Sequence, residues 1–207
     1  DMDGYLRSEG CNLPLFEAGV VPPPKNGTGI AVPVDADGYY LTAAHSVQPN
    51  QPIYVMGVFG GAMKALKAEI VFRGDPAQVE SDFAILKVAV TLSNVVPFAT
   101  ASPRAGDVLF AAVRTESTTS IEEGACIAVG AQGTPRQNSW LVSDLPAMAG
   151  DSGGPVMASD FKLVGLTSRA GTCFGVPRTA SCCPSEPFVR DSIANWKNKH
   201  AANCTQP

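Results

Sequence analysis

The chain sets short apolar runs between turn residues over most of its length. IAVPV runs into Asp35-Ala36-Asp37-Gly38, and YYLTAA leaves it. The pattern predicts two strands joined by a hairpin, because Asp-Gly supplies the positive φ that such turns need. PIYVMGVFG and MKALKAEIVFR follow as two more strands. The second alternates polar and apolar residues over Lys64 to Val71, as a half-buried strand does. FAILKVAV continues directly from Asp82. Gly60-Gly61 and Gly74-Asp75-Pro76 separate these runs. The stretch SNVVPFATASPRAG then has the small and proline-containing composition of a boundary. Beyond it the rhythm returns in VLFAAV, ACIAVGA, NSWLVSD, GPVMAS and KLVGLTSR. Many short strands with regular turns predict an all-β chain built of antiparallel barrels.

The pattern changes at the two ends. VRDSIANWKNKHAA, Val189 to Ala202, repeats Val189, Ile193 and Trp196 at helical spacing. Lys197, Lys199 and His200 fall in its last turns, where cations suit the helix dipole. His200 therefore reads as a surface group. Asp1 to Lys25 carry no period. VPPPK, Val21 to Lys25, cannot be interior strand because proline lacks the N–H of a ladder. An arm lying across the body is expected there, tied through Cys11.

Composition bounds the function. The 207 residues are 45 % hydrophobic, enough for a substantial core. The net charge is −4, from 15 basic and 19 acidic residues with no basic run, which argues against nucleic acid as a partner. Apolar runs are short and interrupted, so no membrane span is expected. The polar opening DMDGYLRSEG is not a signal segment. Cys11, Cys126, Cys173, Cys182, Cys183 and Cys204 make an even count, the mark of a disulfide framework whose pairing stays open. A secreted, oxidised protein with at least two disulfides is expected, the alternative being reduced thiols. The Cys173, Cys182 and Cys183 cluster should supply at least one bond, with Cys204 a partner for one of the adjacent pair and Cys11–Cys126 a further pairing. The cysteines show no C-x-x-C spacing and the histidines are only His45 and His200, so no metal is expected.

Candidate chemistry gathers at GDSGGP, Gly150 to Pro155. Ser152 sits where glycines allow a tight turn and a close approach of substrate to backbone. A serine hydroxyl is a weak nucleophile that needs a base, and the base needs an orienting acid. His45 stands in TAAH, behind small residues that let its ring reach a neighbouring element. Asp82 precedes the apolar run FAIL, the setting of a buried carboxylate. Asp75 is the competing acid, but it lies in a Gly-Asp-Pro turn without such a run.

TAAH, then an acid leading into an apolar strand, then GDSGGP, in the order His, Asp, Ser, resembles the chymotrypsin/trypsin-like serine proteases. Other folds carry these residues in other orders. The resemblance spans roughly Gly27 to Trp196, and its short intervals are like those of compact bacterial or viral members. It implies two antiparallel six-stranded β-barrels, chymotrypsin-like, with a C-terminal α-helix. An arm over residues 1–26 would precede a barrel over 27–98 with His45 and Asp82. A second barrel over 99–188 would carry Ser152, and 189–207 would form the helix and tail.

The same resemblance implies a serine endopeptidase without cofactor or metal. Its partners would be protein or peptide substrates and proteinaceous inhibitors. His45, Asp82 and Ser152 would be catalytic, with the backbone N–H groups of Gly150 and Ser152 as the oxyanion hole. Leu163 to Gly171 would lie along the substrate, with Ser168 bonding toward Asp82 or the substrate backbone. Pro146 would floor the primary pocket, and Ala147, Met148, Ser168, Arg169 and Ala170 would wall it. That lining implies cleavage after small or medium apolar residues. Asp144 would instead select Lys or Arg, and Arg169 an acidic residue; these alternatives stay open. No Ile-Val-Gly-Gly precedes His45 to pair with Asp151, which must find another partner or be solvated. A catalytically silent binding protein on the same fold is the rival reading.

Overall fold

The computed structural model describes residues 11–12, 29–114, 119–130 and 138–203. The expected arm, apart from Cys11 and Asn12, and Cys204 lie outside these residues. The strands are β1 (Cys11–Asn12), β2 (Val32–Asp35), β3 (Tyr39–Thr42), β4 (Ile53–Phe59), β5 (Ala62–Arg73), β6 (Ala84–Val88), β7 (Val108–Arg114), β8 (Thr119–Val129), β9 (Ser139–Ser143), β10 (Pro155–Met157), β11 (Leu163–Cys173) and β12 (Val176–Cys183). One α-helix, α1 (Glu186–Asn203), follows them, starting three residues before the apolar repeat predicts. No helix among the described residues is long and apolar enough to cross a membrane.

The hairpin at Asp35 to Gly38 shows how turn chemistry sets the register. Asp37 N–H donates to Asp35 Oδ1 at 2.9 Å, an Asx turn. Gly38 has φ +82°, and a Cβ there would sit 2.4 Å from the Val88 carbonyl. Only glycine fits. The first sheet runs β2-β3-β6-β5-β4, all antiparallel. The second runs β11-β10-β7-β8-β9-β12 and closes because β11 also pairs β12; β1 is added outside β11.

The all-β, chymotrypsin-like architecture is therefore present, with one closed six-stranded barrel and one five-stranded half-barrel where two six-stranded barrels were expected. The backbone just ahead of β2 is engaged elsewhere: Ile30 N–H donates to the Ser152 carbonyl at 2.8 Å, on the other barrel.

One apolar cluster joins the two sheets and the helix. Val32, Val34, Tyr39, Leu41, Phe83 and Ile85 meet Leu163, Leu166 and Cys182 there, and α1 inserts Val189 and Ile193. Phe188 packs edge-on against Phe72 and Phe83, at 5.0 and 5.8 Å between ring centroids. The relative placement of the barrels is thus fixed by buried apolar surface, each large side chain contributing about 1.5–3 kcal/mol.

The cysteines depart from expectation. Cys126, Cys182 and Cys183 are free and buried. Successive side chains of a strand point to opposite faces. Cys182 accordingly enters the cluster between the barrels, and Cys183 enters the closed barrel with Cys126. Each packs among apolar neighbours as a small hydrophobe. A Cys11–Cys126 bond and bonds from Cys182 or Cys183 are excluded, and with three of the six thiols free, two disulfides within the chain are not formed.

Candidate active site

His45 lies in a single 3-10 turn, Ala44–Ser46, immediately after β3. Ala43 and Ala44 are fully buried, so the turn packs tightly against the body. Arg73, at the end of β5, donates from Nε to the Val47 carbonyl at 2.8 Å and to the Ala44 carbonyl at 3.2 Å, which pins the turn from below. Asp82 follows a second 3-10 turn, Val79–Ser81, and is fully buried.

The two turns bring these side chains together. Asp82 Oδ1 accepts His45 N–H at 2.9 Å, and Asp82 Oδ2 lies 2.7 Å from His45 Nδ1. A carboxylate only accepts, so Nδ1 carries the proton and Nε2 keeps its lone pair. Nε2 is 2.8 Å from Ser152 Oγ. The ring is 16 % exposed, open enough on one edge for a substrate to reach. Ser168 Oγ donates to Asp82 Oδ2 at 2.5 Å, so the buried carboxylate is held from both barrels.

Ser152 sits on a turn that requires its glycines. Gly150 has φ +105° and Gly153 has φ +82°. A Cβ on Gly153 would lie 2.4 Å from the Ile30 carbonyl and from Thr42 Oγ1. The turn thus abuts the segment that carries His45. Gly153 N–H donates to the Thr167 carbonyl and Thr167 N–H returns to the Gly154 carbonyl, each at 2.8 Å, which ties the turn to β11. Asp151 is fully buried, and its Oδ2 accepts the Met148 N–H at 2.8 Å. That backbone amide is one partner of the buried acid. Among the described residues, the N–H groups of Gly150 and Ser152 make no backbone hydrogen bond. They stand on either side of Asp151.

The expected pocket residues divide. Ser168 is buried at Asp82, while Pro146 and Ala170 are exposed, Ala147 is half-buried and Met148 is 63 % exposed. Arg169, expected at the mouth, is only 3 % exposed and donates through Nη2 to the Pro76 and Ala77 carbonyls at 2.8 and 2.9 Å. The β11–β12 register shifts between Thr167 and Arg169. Such a bulge re-aims side chains. Here Ser168 meets Asp82 while Arg169 anchors the loop that leads to it. Asp144 is exposed, and its Oδ1 accepts the Ala125 N–H at 2.6 Å.

A cavity of about 1060 Å³ opens beside His45 and runs into the half-barrel along β4, past Tyr40, Val55 and Leu86. Among the described residues, no group of three or more histidine, cysteine or carboxylate side chains could hold a metal ion.

The trypsin-like peptidase domain matches residues 27–166 of the sequence. The chain belongs to this family. No curated protein matches it in sequence. Among solved structures it is similar to the HtrA-type protease AlgW with decapeptide, at 20% identity and TM-score 0.60, over 79% of this chain and 50% of that one. The crystal structure of Deg5 gives 22% identity and TM-score 0.58 over 79% and 81%. The serine endoprotease from Yersinia pestis gives 18% and 0.59 over 95% and 66%. The chain thus spans half the length of the first and about two thirds of the third. At these identities the likeness is one of fold.

Proposed function

We propose that the protein is a serine endopeptidase that cleaves peptide bonds through an acyl-enzyme. The observation that carries this reading is the continuous hydrogen-bonded chain from Asp82 through His45 to Ser152. His45 Nε2 takes the hydroxyl proton as Ser152 Oγ attacks the scissile carbonyl carbon. Asp82 keeps the imidazole in the productive tautomer and stabilises its cation. The carbonyl oxygen, now an anion, turns to the N–H groups of Gly150 and Ser152. Donors preorganised in this way lower a barrier by about 3 kcal/mol each. The C–N bond breaks as His45 returns the proton to the leaving amine. Water then attacks the ester with His45 again as base, releasing the acid and restoring Ser152. Membership of the peptidase family supports the reading.

A fluorogenic peptide library measured beside a thermal melt tests it. Ser152→Ala should abolish turnover with an unchanged melt, because the hydroxyl contributes chemistry and no packing. Full turnover in Ser152→Ala would overturn the assignment. A silent binding protein would fail to form a covalent adduct between Ser152 and a fluorophosphonate; an adduct on Ser152 in the native protein favours the enzyme.

We also propose one cross-link, from Cys173 to Cys11. The two are register partners in the β1–β11 pairing, and Cys173 is not among the free thiols. Peptide mapping without reduction should find this pair; Cys11 recovered as a free thiol from oxidised protein would exclude it.

A further inference from the structure

The half-barrel is open along one edge. β4 ends the first sheet and pairs with β5 alone. Among the described residues, its outer edge makes no backbone hydrogen bond. The opposite end of the sheet is covered, because the Leu92 and Val96 N–H groups donate to the Ala36 and Pro33 carbonyls, each at 2.8 Å. A free strand edge is a template for a further strand, and proteins guard such edges with lysine, proline or a bulge. β4 reads IYVMGVF, without charge or proline, and its register with β5 runs without a shift. Tyr54, Met56 and Val58 alternate along its outer face, 58, 72 and 68 % exposed.

The same strand borders the cavity that opens beside His45. Tyr40, Val47, Val55, Phe59 and Leu86 line that cavity and belong to one apolar cluster. The base of the triad and an unpaired apolar strand therefore face one space. His45 returns its proton to the leaving amine, so the chain beyond the scissile bond starts beside His45. No residue of β11, the strand expected along the rest of the substrate, lines the cavity. The space is thus on the leaving-group side. Gly57 marks its wall on β4, on the inward face with Val55 and Phe59. Gly57 does not hold a positive φ, and a Cβ there would meet only the Phe59 ring, in ordinary contact at 3.4 Å.

We infer that the leaving-group side of the substrate adds to the free edge of β4 as a further strand, and that the enzyme prefers an uncharged, extended segment with apolar alternate residues there. The inference rests on the endopeptidase reading above. Backbone pairing with β4 supplies affinity without regard to sequence, and the alternate side chains turned into the half-barrel supply the selection. Those side chains would lie against Tyr40, Val55 and Leu86, where a charge would be buried without a partner. β4 is 7 residues long. A strand rises about 3.3 Å per residue, so a leaving side of about eight residues reaches past His45 and uses most of the edge. A leaving side of two residues uses little of it.

The test is a set of peptides that share one sequence before the scissile bond and differ after it. One ends after two residues, one continues for about eight residues of Val-Thr repeat, and two carry Glu-Thr or Lys-Thr repeats of the same length; mass spectrometry locates each cut. From the short peptide to the Val-Thr peptide, kcat/KM should rise about tenfold or more, the order that burial of one large apolar side chain provides. The Glu-Thr and Lys-Thr peptides should gain little. In Gly57→Phe the added ring fills the cavity, so the ratio of Val-Thr to short peptide should fall toward unity, with a melting temperature equal to or above wild type. A Val-Thr peptide cleaved no faster than the short one by wild type, equal gains for the charged repeats, or a ratio unchanged in folded Gly57→Phe would each overturn the inference. An edge already taken, by a second copy or by chain outside the described residues, gives the first of these outcomes. The wild-type comparisons decide the matter even where Gly57→Phe fails to fold. In all these cases wild type still cleaves the short peptide and still takes the fluorophosphonate, so the endopeptidase reading stands. Loss of all cleavage and labelling in wild type would overturn that reading and this inference with it.

Discussion

Ser168 and Asp82 meet across the junction of the two barrels, the hydroxyl donating to the carboxylate oxygen that also faces His45 Nδ1. Ser168 thus helps to aim the acid without touching the reacting atoms. Ser168→Ala should lower kcat about tenfold, close to 1.4 kcal/mol, with little change in KM. Steady-state kinetics with one peptide read both. A rise in KM at constant kcat would move Ser168 from aiming Asp82 to binding substrate.

Asp151 holds the loop that presents the Gly150 N–H. Its buried carboxylate accepts from Met148 N–H at 2.8 Å. Asp151→Ala leaves that donor unpaired and frees the loop, so kcat/KM should fall by about 100- to 1000-fold, as when an oxyanion donor is lost. Asp151→Asn keeps an oxygen acceptor and should recover part of the rate. Identical rates for the alanine and asparagine variants would detach this bond from catalysis.

Arg169 stitches β11 to the loop that precedes Asp82. Arg169→Met keeps volume but strands the Pro76 and Ala77 carbonyls. Unpaired buried acceptors cost about 1–3 kcal/mol each, so for the two carbonyls urea denaturation should report a loss of about 2–6 kcal/mol. Arg169→Lys should restore little, because an ammonium lacks the planar fork of donors. Wild-type stability in Arg169→Met would show that the stitch contributes nothing.

The buried thiols make the fold sensitive to alkali. Burial pushes Cys126 up to about 11 and Cys183 to about 12 from an ordinary 9.0, and raises Cys182 well above that value. Below pH 9.0 both folded and unfolded thiols are protonated, and their contribution is fully present. Above it the unfolded chain ionises and the folded chain does not, so stability is lost as pH climbs toward the folded values. Urea midpoints should therefore fall as pH rises from 9.0 toward about 11, and less steeply in Cys183→Ala. In native protein at neutral pH, all three should resist alkylation that denatured protein undergoes at once.

How much of this is legible in sequence follows from what each residue needs locally. His45 and Ser152 are readable because their turns demand small neighbours, alanines before one and glycines around the other. Asp82 is readable because a buried acid leads straight into an apolar strand. Arg169 is not. Its direction depends on the shift of register beside Thr167, and one extra residue in a strand inverts every inference from alternation. Arg73 reads as the polar end of a strand until the His45 turn is seen resting on it. Cys182 and Cys183 look like a pair, yet the pleat sends them into different cores.

The last element of the chain helps to hold the two barrels together. Its apolar face completes the cluster that fixes one barrel against the other, and Lys197 and Arg190 reach back to Asp37 and to the Val34 carbonyl of the first hairpin. His45 and Ser152 belong to different barrels, so their alignment depends on what holds the barrels together, and α1 supplies part of that buried surface. A chain shortened before α1 would keep the inter-barrel bonds Ile30 to Ser152 and Ser168 to Asp82 and lose the apolar face that seals the junction around them.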